Sequence, residues 1–204
     1  MSTPDASVGP VPGVGPEAIV VVRHGATEWS RNGRHTGRTD LPLDEGGRVQ
    51  AAALGDRLAG KSFSAIFSSP LRRARQTCEL AGLGDRCEIL PEVEEWDYGE
   101  YEGRTTAEIR IDRPGWQVFF DGAPGGETPD AIGARADRAL ALIAERAGDG
   151  GTAIVFSHGH FLRVLASRWL SLDACEGRHF ALDAGRVSEL GFERDTRVLA
   201  MWNA

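Results

Sequence analysis

Two rhythms of apolar and polar positions divide this chain. Short, mainly apolar runs without helical periodicity occur at residues 19–22, 64–68 and 152–156, rich in Val, Ile and Phe. Such runs predict strands buried on both faces, as in parallel sheets. Longer stretches between them repeat at helical spacing. Asp44 can cap a helix to about Leu58, with Val49, Ala53 and Leu58 on one face and Gly60 as its breaker. Ser69-Pro70 reads as N-cap and first position of a helix to about Ala81. Thr128 or Asp130 begins a longer helix with Ile132, Ala136, Leu140, Ile143 and Ala147 in one stripe, ended by Gly148 to Gly151. A further helix spans 161–170, a third strand 87–90, and short helices 106–110 and 116–120. Residues 187–192 and 197–202, joined by Arg194-Asp195-Thr196, read as a closing strand pair. Strands alternating with helices predict an α/β fold with a mainly parallel sheet.

Composition narrows the setting. The chain has 204 residues, enough for one well-packed domain, with ordinary proportions of hydrophobic (41%) and charged (26%) residues. A net charge of −7 argues against general nucleic-acid binding and leaves room for a local basic pocket. Cys78, Cys87 and Cys175 are odd in number and lack CxxC spacing, so they read as reduced thiols of a cytoplasmic protein. No apolar run reaches membrane-spanning length. Residues 1–16 lack Lys, Arg and an apolar core, which argues against a signal peptide. Their Gly, Pro, Ser and Val mixture predicts a disordered leader ahead of one domain over 17–204.

The chemistry gathers where strands end. The first strand runs into Arg23-His24-Gly25, the strand at 152–156 into Ser157-His158-Gly159-His160. Ligands of open α/β sheets bind beyond strand carboxyl ends. The helix after the second strand carries Arg72, Arg73 and Arg75 in its first turns, where cations oppose the helix dipole and an anionic ligand would resolve the conflict. The acidic, aromatic loop at 94–103 offers Glu94 and Glu95 without a ranking between them. Two arginines, two histidines and one carboxyl suit phosphoryl transfer without a metal: guanidinium forks match phosphate oxygens, neutral imidazole is a nucleophile, and a protonated carboxyl can supply the leaving oxygen. A metal site on His24, His158 and His160 competes, but Arg23 beside His24 repels a divalent cation and no carboxylate cluster completes a shell. Neither GxGxxG nor GxxxxGK[ST] is present. His160 alone reads as a packing or rim residue. Trp96, Tyr98, Trp116, Phe119 and Phe120 each read first as core.

The block Arg23-His24-Gly25-Ala26-Thr27-Glu28-Trp29 resembles the signature of the histidine phosphatase superfamily, in its phosphoglycerate-mutase-like branch. The resemblance continues through residues 35–43 (His35-Thr36-Gly37 onward), 68–74, Glu95-Trp96-Asp97-Tyr98-Gly99 and Ser157-His158-Gly159, in the family's order. It implies a three-layer sandwich of helices about a mainly parallel sheet. It makes His24 the nucleophile that becomes phosphohistidine, Arg23, Arg73 and His158 the groups that hold the phosphoryl oxygens, and Glu95 the acid. Ser30, Thr36, Gly37 and Gly159 would lie against the bound phosphate or substrate. No cofactor and no metal are implied. The partners expected are a small phosphorylated metabolite and inorganic phosphate as product, with no nucleic acid or membrane; a homodimer stays open.

Two departures shape the expected activity. Many relatives carry Asn where this chain has Ser30. Mutases of the branch hold the substrate carboxylate with a Lys and a paired Arg-Arg after the Tyr-Gly block; here Arg110 and Arg113 stand out of register. Without that clamp, water should take the phosphoryl group. The expectation is a phosphatase resembling small bacterial acid or broad-specificity enzymes and sugar bisphosphatases, with an acidic optimum because Glu95 must be protonated while His24 is neutral. The alternatives are a phosphoglycerate mutase and a silent phospho-ligand or partner-binding protein on the same fold.

Overall fold

The computed structural model describes residues 15–204, so the leader expected over 1–16 lies outside the described residues but for its last two. The elements in order are β1 (Ala18–Arg23), α1 (Glu28–Arg31), α2 (Glu45–Leu58), β2 (Ala65–Ser68), α3 (Arg72–Leu80), β3 (Glu88–Ile89), α4 (Thr106–Asp112), α5 (Val118–Asp121), α6 (Pro129–Ala147), β4 (Thr152–Ser157), α7 (Gly159–Trp169), β5 (Val187–Glu193) and β6 (Thr196–Met201). Short 3₁₀ turns at Gly84–Arg86, Pro91–Val93, Gly99–Tyr101 and Ala174–His179 had no signal in the sequence pattern.

The six strands form one sheet in the order β3-β2-β4-β1-β5-β6. β1 to β4 run parallel and the closing hairpin β5–β6 antiparallel, which gives the mainly parallel sheet expected. Each central strand feeds two cores. Ile19 and Val21 of β1 pack with Val155, α6 and α7, whereas Val20 and Val22 pack with Ile154, Phe156, α2 and α3. Alternate side chains therefore bury both faces of the sheet, producing three layers. Among the described residues no helix is long and apolar enough to cross a membrane.

Several boundaries differ from expectation. α3 begins at Arg72 behind Leu71, not at Pro70. The Ser69 hydroxyl instead accepts from the Leu71 N–H (3.2 Å) within a turn, so Ser69 is not an N-cap. α7 starts two residues early, because His158 is its N-cap. In α2 the buried residues are Gly47, Ala51, Leu54 and Leu58, and Val49 is exposed. Gly47 diverts the helix face: its backbone touches the loop after β1 so closely that a Cβ on Gly47 would stand 2.0 Å from the Ala26 carbonyl oxygen. The third strand shrinks to two residues.

Candidate active site

β1 and β4 are neighbours, paired from Ala18 with Thr152 to Arg23 with Ser157, so their carboxyl ends bring His24 and His158 together. The imidazole centroids are 5.2 Å apart, edge to face. After His24 the chain turns tightly against α2 and α3. The Gly25 N–H donates to Thr77 Oγ1 (3.1 Å), and a Cβ at Gly25 would lie 2.3 Å from the Gly47 carbonyl oxygen.

The His24 ring is buried, and its Nδ1 lies 2.7 Å from the Gly25 carbonyl oxygen. A carbonyl only accepts, so Nδ1 carries the proton and Nε2 keeps its lone pair. Burial, then the Arg73 and Arg23 charges, push the His24 pKa well below the usual imidazole value, against a smaller opposing effect of the Gly25 contact. The ring is held neutral with Nε2 available.

His158 is wired otherwise. Its Nδ1 accepts from Arg73 Nε (3.1 Å), so Nε2 carries the proton and donates to Ser69 Oγ (2.8 Å). Burial, Arg73 and His24 push its pKa down.

The two arginines differ as well. Arg73 is wholly buried and donates from Nε to His158, from Nη1 to Thr39 O (2.9 Å), and from Nη2 to Thr36 O (3.0 Å) and Gly37 O (2.9 Å). One guanidinium hydrogen is left. Arg23 donates from Nη1 to Leu182 O, while its Nε is buried without a partner among the described residues. An unpartnered cationic N–H in a buried site calls for an anion. Gly159 makes room for it, since a Cβ there would stand 3.1 Å from Arg23 Cζ. Arg72 and Arg75, the neighbours of Arg73 in α3, are both exposed.

Glu95, and not Glu94, reaches this edge. Its Oε1 accepts from the N–H groups of Trp96 (2.9 Å) and Phe161 (2.8 Å) and its Oε2 from His160 N–H (3.1 Å), so the carboxylate sits on the first turn of α7. Thr36 and Gly37 come to the site through the carbonyls that Arg73 holds. The Ser30 hydroxyl donates to Thr27 O (3.0 Å) and accepts from Thr27 N–H (2.9 Å), closing the cap of α1. His158 has both ring nitrogens engaged inside the protein. Trp96, Tyr98, Trp116 and Phe119 are core, whereas Phe120 is exposed. Tyr98 Oη lies 2.5 Å from His160 Nδ1, which makes His160 a packing partner of the aromatic wall. Arg110 and Arg113, the arginines out of register for a carboxylate clamp, are bound to Trp116 O (2.9 Å) and Asp121 (2.7 Å). Among the described residues no three His, Cys, Asp or Glu side chains group as a metal site.

Sequence reasoning missed Ser69, and it missed Glu102, whose carboxylate accepts from Gly37 N–H (2.9 Å) and Thr39 N–H (3.1 Å) and sets the loop that Arg73 grips. A partner this far along the chain leaves no local mark. The Glu-Gly pair after Tyr101 was the available hint.

A mainly parallel sheet whose edge gathers two histidines and two arginines, with a loop carboxylate seated on the first turn of α7, suits phosphoryl transfer. Family comparison agrees: residues 19–204 match the model of the histidine phosphatase superfamily (branch 1), and the chain belongs to that family. It is a homologue of an acid phosphatase from Mycobacterium tuberculosis, 40% identical over 191 residues that cover 93% of each chain. A sedoheptulose 1,7-bisphosphatase from Saccharomyces cerevisiae is 38% identical over 192 residues, covering 79% of this chain and 70% of the yeast protein. The solved structure of the open reading frame Rv3214 from Mycobacterium tuberculosis superposes with a TM-score of 0.85 at 38% identity, covering 92% of this chain and 97% of that one.

Proposed function

We propose that this protein is a phosphatase that needs no metal and hydrolyses small phosphomonoesters, phosphosugars or similar metabolites, through a phosphohistidine on His24. The observation that carries the reading is the His24 tautomer: Nδ1–H is spent on the Gly25 carbonyl and Nε2 keeps its lone pair, while the Nε–H of the neighbouring Arg23 is unpartnered among the described residues.

In the first step Nε2 attacks phosphorus and the bond to the ester oxygen breaks. Glu95 delivers a proton to that oxygen, and the alcohol leaves. Arg23 grips the transferring oxygens through Nε and Nη2, and Arg73 adds its one spare hydrogen. His158, held between Arg73 and Ser69, fixes the Arg73 guanidinium. In the second step Glu95, now a carboxylate, takes a proton from water whose oxygen attacks phosphorus; phosphate leaves and His24 returns to its neutral form. Phosphosugars are favoured over phosphoglycerates because Arg110 and Arg113 are tied to local partners, which leaves no paired guanidinium for a substrate carboxylate. The bisphosphatase relative supports the same class.

The test is phosphate release from an aryl phosphate with EDTA present, from about pH 4 to about pH 9, comparing wild type with His24→Ala. Turnover by wild type alone is expected. Activity that EDTA abolishes, or that His24→Ala retains, overturns the proposal; phosphoglycerate isomerisation by wild type would reassign the protein as a mutase.

A further inference from the structure

Glu95 lies in a loop with no regular structure of its own, between the 3₁₀ turns Pro91–Val93 and Gly99–Tyr101. Its carboxylate nevertheless meets two N–H groups of α7 at once, which requires its peptide to be held to within a fraction of an ångström. The holder is Arg135 of α6. Arg135 Nη1 donates to the carbonyls of Glu92 (2.8 Å) and Glu94 (2.8 Å), Nη2 to the carbonyl of Glu95 itself (3.2 Å), and Nε and Nη2 together to the Glu127 carboxylate (2.7 Å each). All five guanidinium hydrogens are used, so Arg135 has none for a ligand.

Glu127 completes the clamp from the far side. Its Oε2 accepts from Asp97 N–H (3.0 Å), its own N–H donates to Asp97 O (2.9 Å), and its carbonyl accepts from Trp96 Nε1 (3.0 Å). The side chains are 13% and 20% exposed, so little water competes for these bonds. The Arg135 guanidinium also covers the ring of Phe161 at 4.7 Å, and Phe161 N–H is one of the donors to Glu95. A single part-buried ion pair thus fixes both the peptide that carries Glu95 and the helix turn that receives its carboxylate.

We infer that Arg135 and Glu127 are positioning residues for the proton transfer at Glu95, an inference that rests on reading Glu95 as the acid. They touch neither phosphate nor the nucleophile, so they set how well a proton reaches the leaving oxygen and leave the attack by His24 alone. Lysine cannot replace the fork, because an ammonium is a point charge that cannot reach three carbonyls and a carboxylate together.

The experiment compares kcat/KM for two esters of one protein: 2,4-dinitrophenyl phosphate, whose leaving group needs no proton, and glycerol 2-phosphate, whose alkoxide does. Glu95→Gln should lose about 10²-fold or more on the glycerol ester and little on the dinitrophenyl ester. Arg135→Lys and Glu127→Gln should repeat that selectivity in weaker form, with losses at least about tenfold greater on the glycerol ester. A structural defect alone lowers both substrates by one factor, and that result in both variants overturns the inference, as does no loss at all. A flat response of Glu95→Gln sinks the reading of Glu95 as acid, whereas selectivity in Glu95→Gln with flat responses in the other two sinks only the positioning role. Should Arg135→Lys fail to fold, Glu127→Gln, which keeps side-chain size and one acceptor, decides the matter.

Discussion

The ends of β1 and β4 invite comparison because they are adjacent, parallel and in register, and each delivers a histidine followed by a glycine. At the end of β1 the ring bonds only to the carbonyl one residue on, and one nitrogen stays free. At the end of β4 the ring is bonded on both sides, by Arg73 from the first turn of α3 and by Ser69 from the β2–α3 connection. Both imidazoles are held neutral by burial among arginines. Charge therefore does not separate them; the partners do. An acceptor beside Nδ1 produces a free Nε2, and a donor beside Nδ1 produces an Nε2–H. The same local sequence leaves a ring with one bonded nitrogen in one place and a ring bonded on both sides in the other.

The largest effect should come from crossing this difference. His24→Ala should lower kcat/KM by about 10⁴-fold or more and abolish trapping of an acid-labile phosphoenzyme. His158→Asn should cost about 10²-fold, since one side chain no longer spans Arg73 and Ser69, yet phosphoenzyme should still form. Rapid-quench phosphate labelling reads both. Label retained in His24→Ala and lost in His158→Asn would reverse the roles.

The arginines sharpen the same contrast one level down. Arg23→Lys removes the fork with an unpartnered N–H and should lower kcat/KM about 10²-fold with little change in Tm. Arg73→Lys strips donors from the buried carbonyls of Thr36, Gly37 and Thr39, so activity and Tm should fall together. Thermal melts beside kinetics separate the two, and equal losses of Tm in both variants would contradict the distinction.

How much of this was legible in the sequence depends on the reach of each interaction. The strands, the Asp44 and Thr128 caps and the hairpin turn at Arg194 are local, and pattern reading found them. So did the gathering of His24, Arg73, Glu95 and His158, because strand ends share one edge of a parallel sheet. The face of α2 was misread because Gly47 against Gly25 overrides the apolar count at Val49. The Ser30 hydroxyl pairs within the cap of its own helix, and a hydroxyl's partner cannot be read from its type. The His158 tautomer, the Glu102 brace and the Arg135 clamp join residues up to 89 positions apart, as Ser69 and His158 are. Nothing in a local window encodes them.

Acid stability is a further consequence of burying neutral imidazoles. Burial pushes His35 from its ordinary 6.5 down to about 4, and His24, His158 and His160 are pushed down too. The unfolded chain protonates these rings near 6.5 and the folded chain resists. Their contribution is therefore fully present above that value and is lost as pH falls toward the folded pKa. For His35 alone the loss between those two values is about 3 kcal/mol. Urea midpoints measured from neutral pH downward should fall through this window. A flat profile would mean that the rings charge freely in the folded state.

The smallest effect addresses what keeps the second imidazole a brace. Ser69 is buried, and its Oγ accepts from both His158 Nε2–H and Leu71 N–H. Ser69→Ala should leave two buried donors without an acceptor, lowering stability by about 1–3 kcal/mol. It should lower kcat/KM by only a few-fold, since Arg73 still fixes the other ring nitrogen, and should leave phosphoenzyme formation intact. Ser69→Thr, which keeps the hydroxyl, should restore most of both. No equivalent experiment exists at His24, where the acceptor is a backbone carbonyl that side-chain substitution cannot remove. If Ser69→Ala leaves stability, rate and pH profile unchanged, the second imidazole is fixed by Arg73 alone, and the contrast between the two strand ends narrows to one bond.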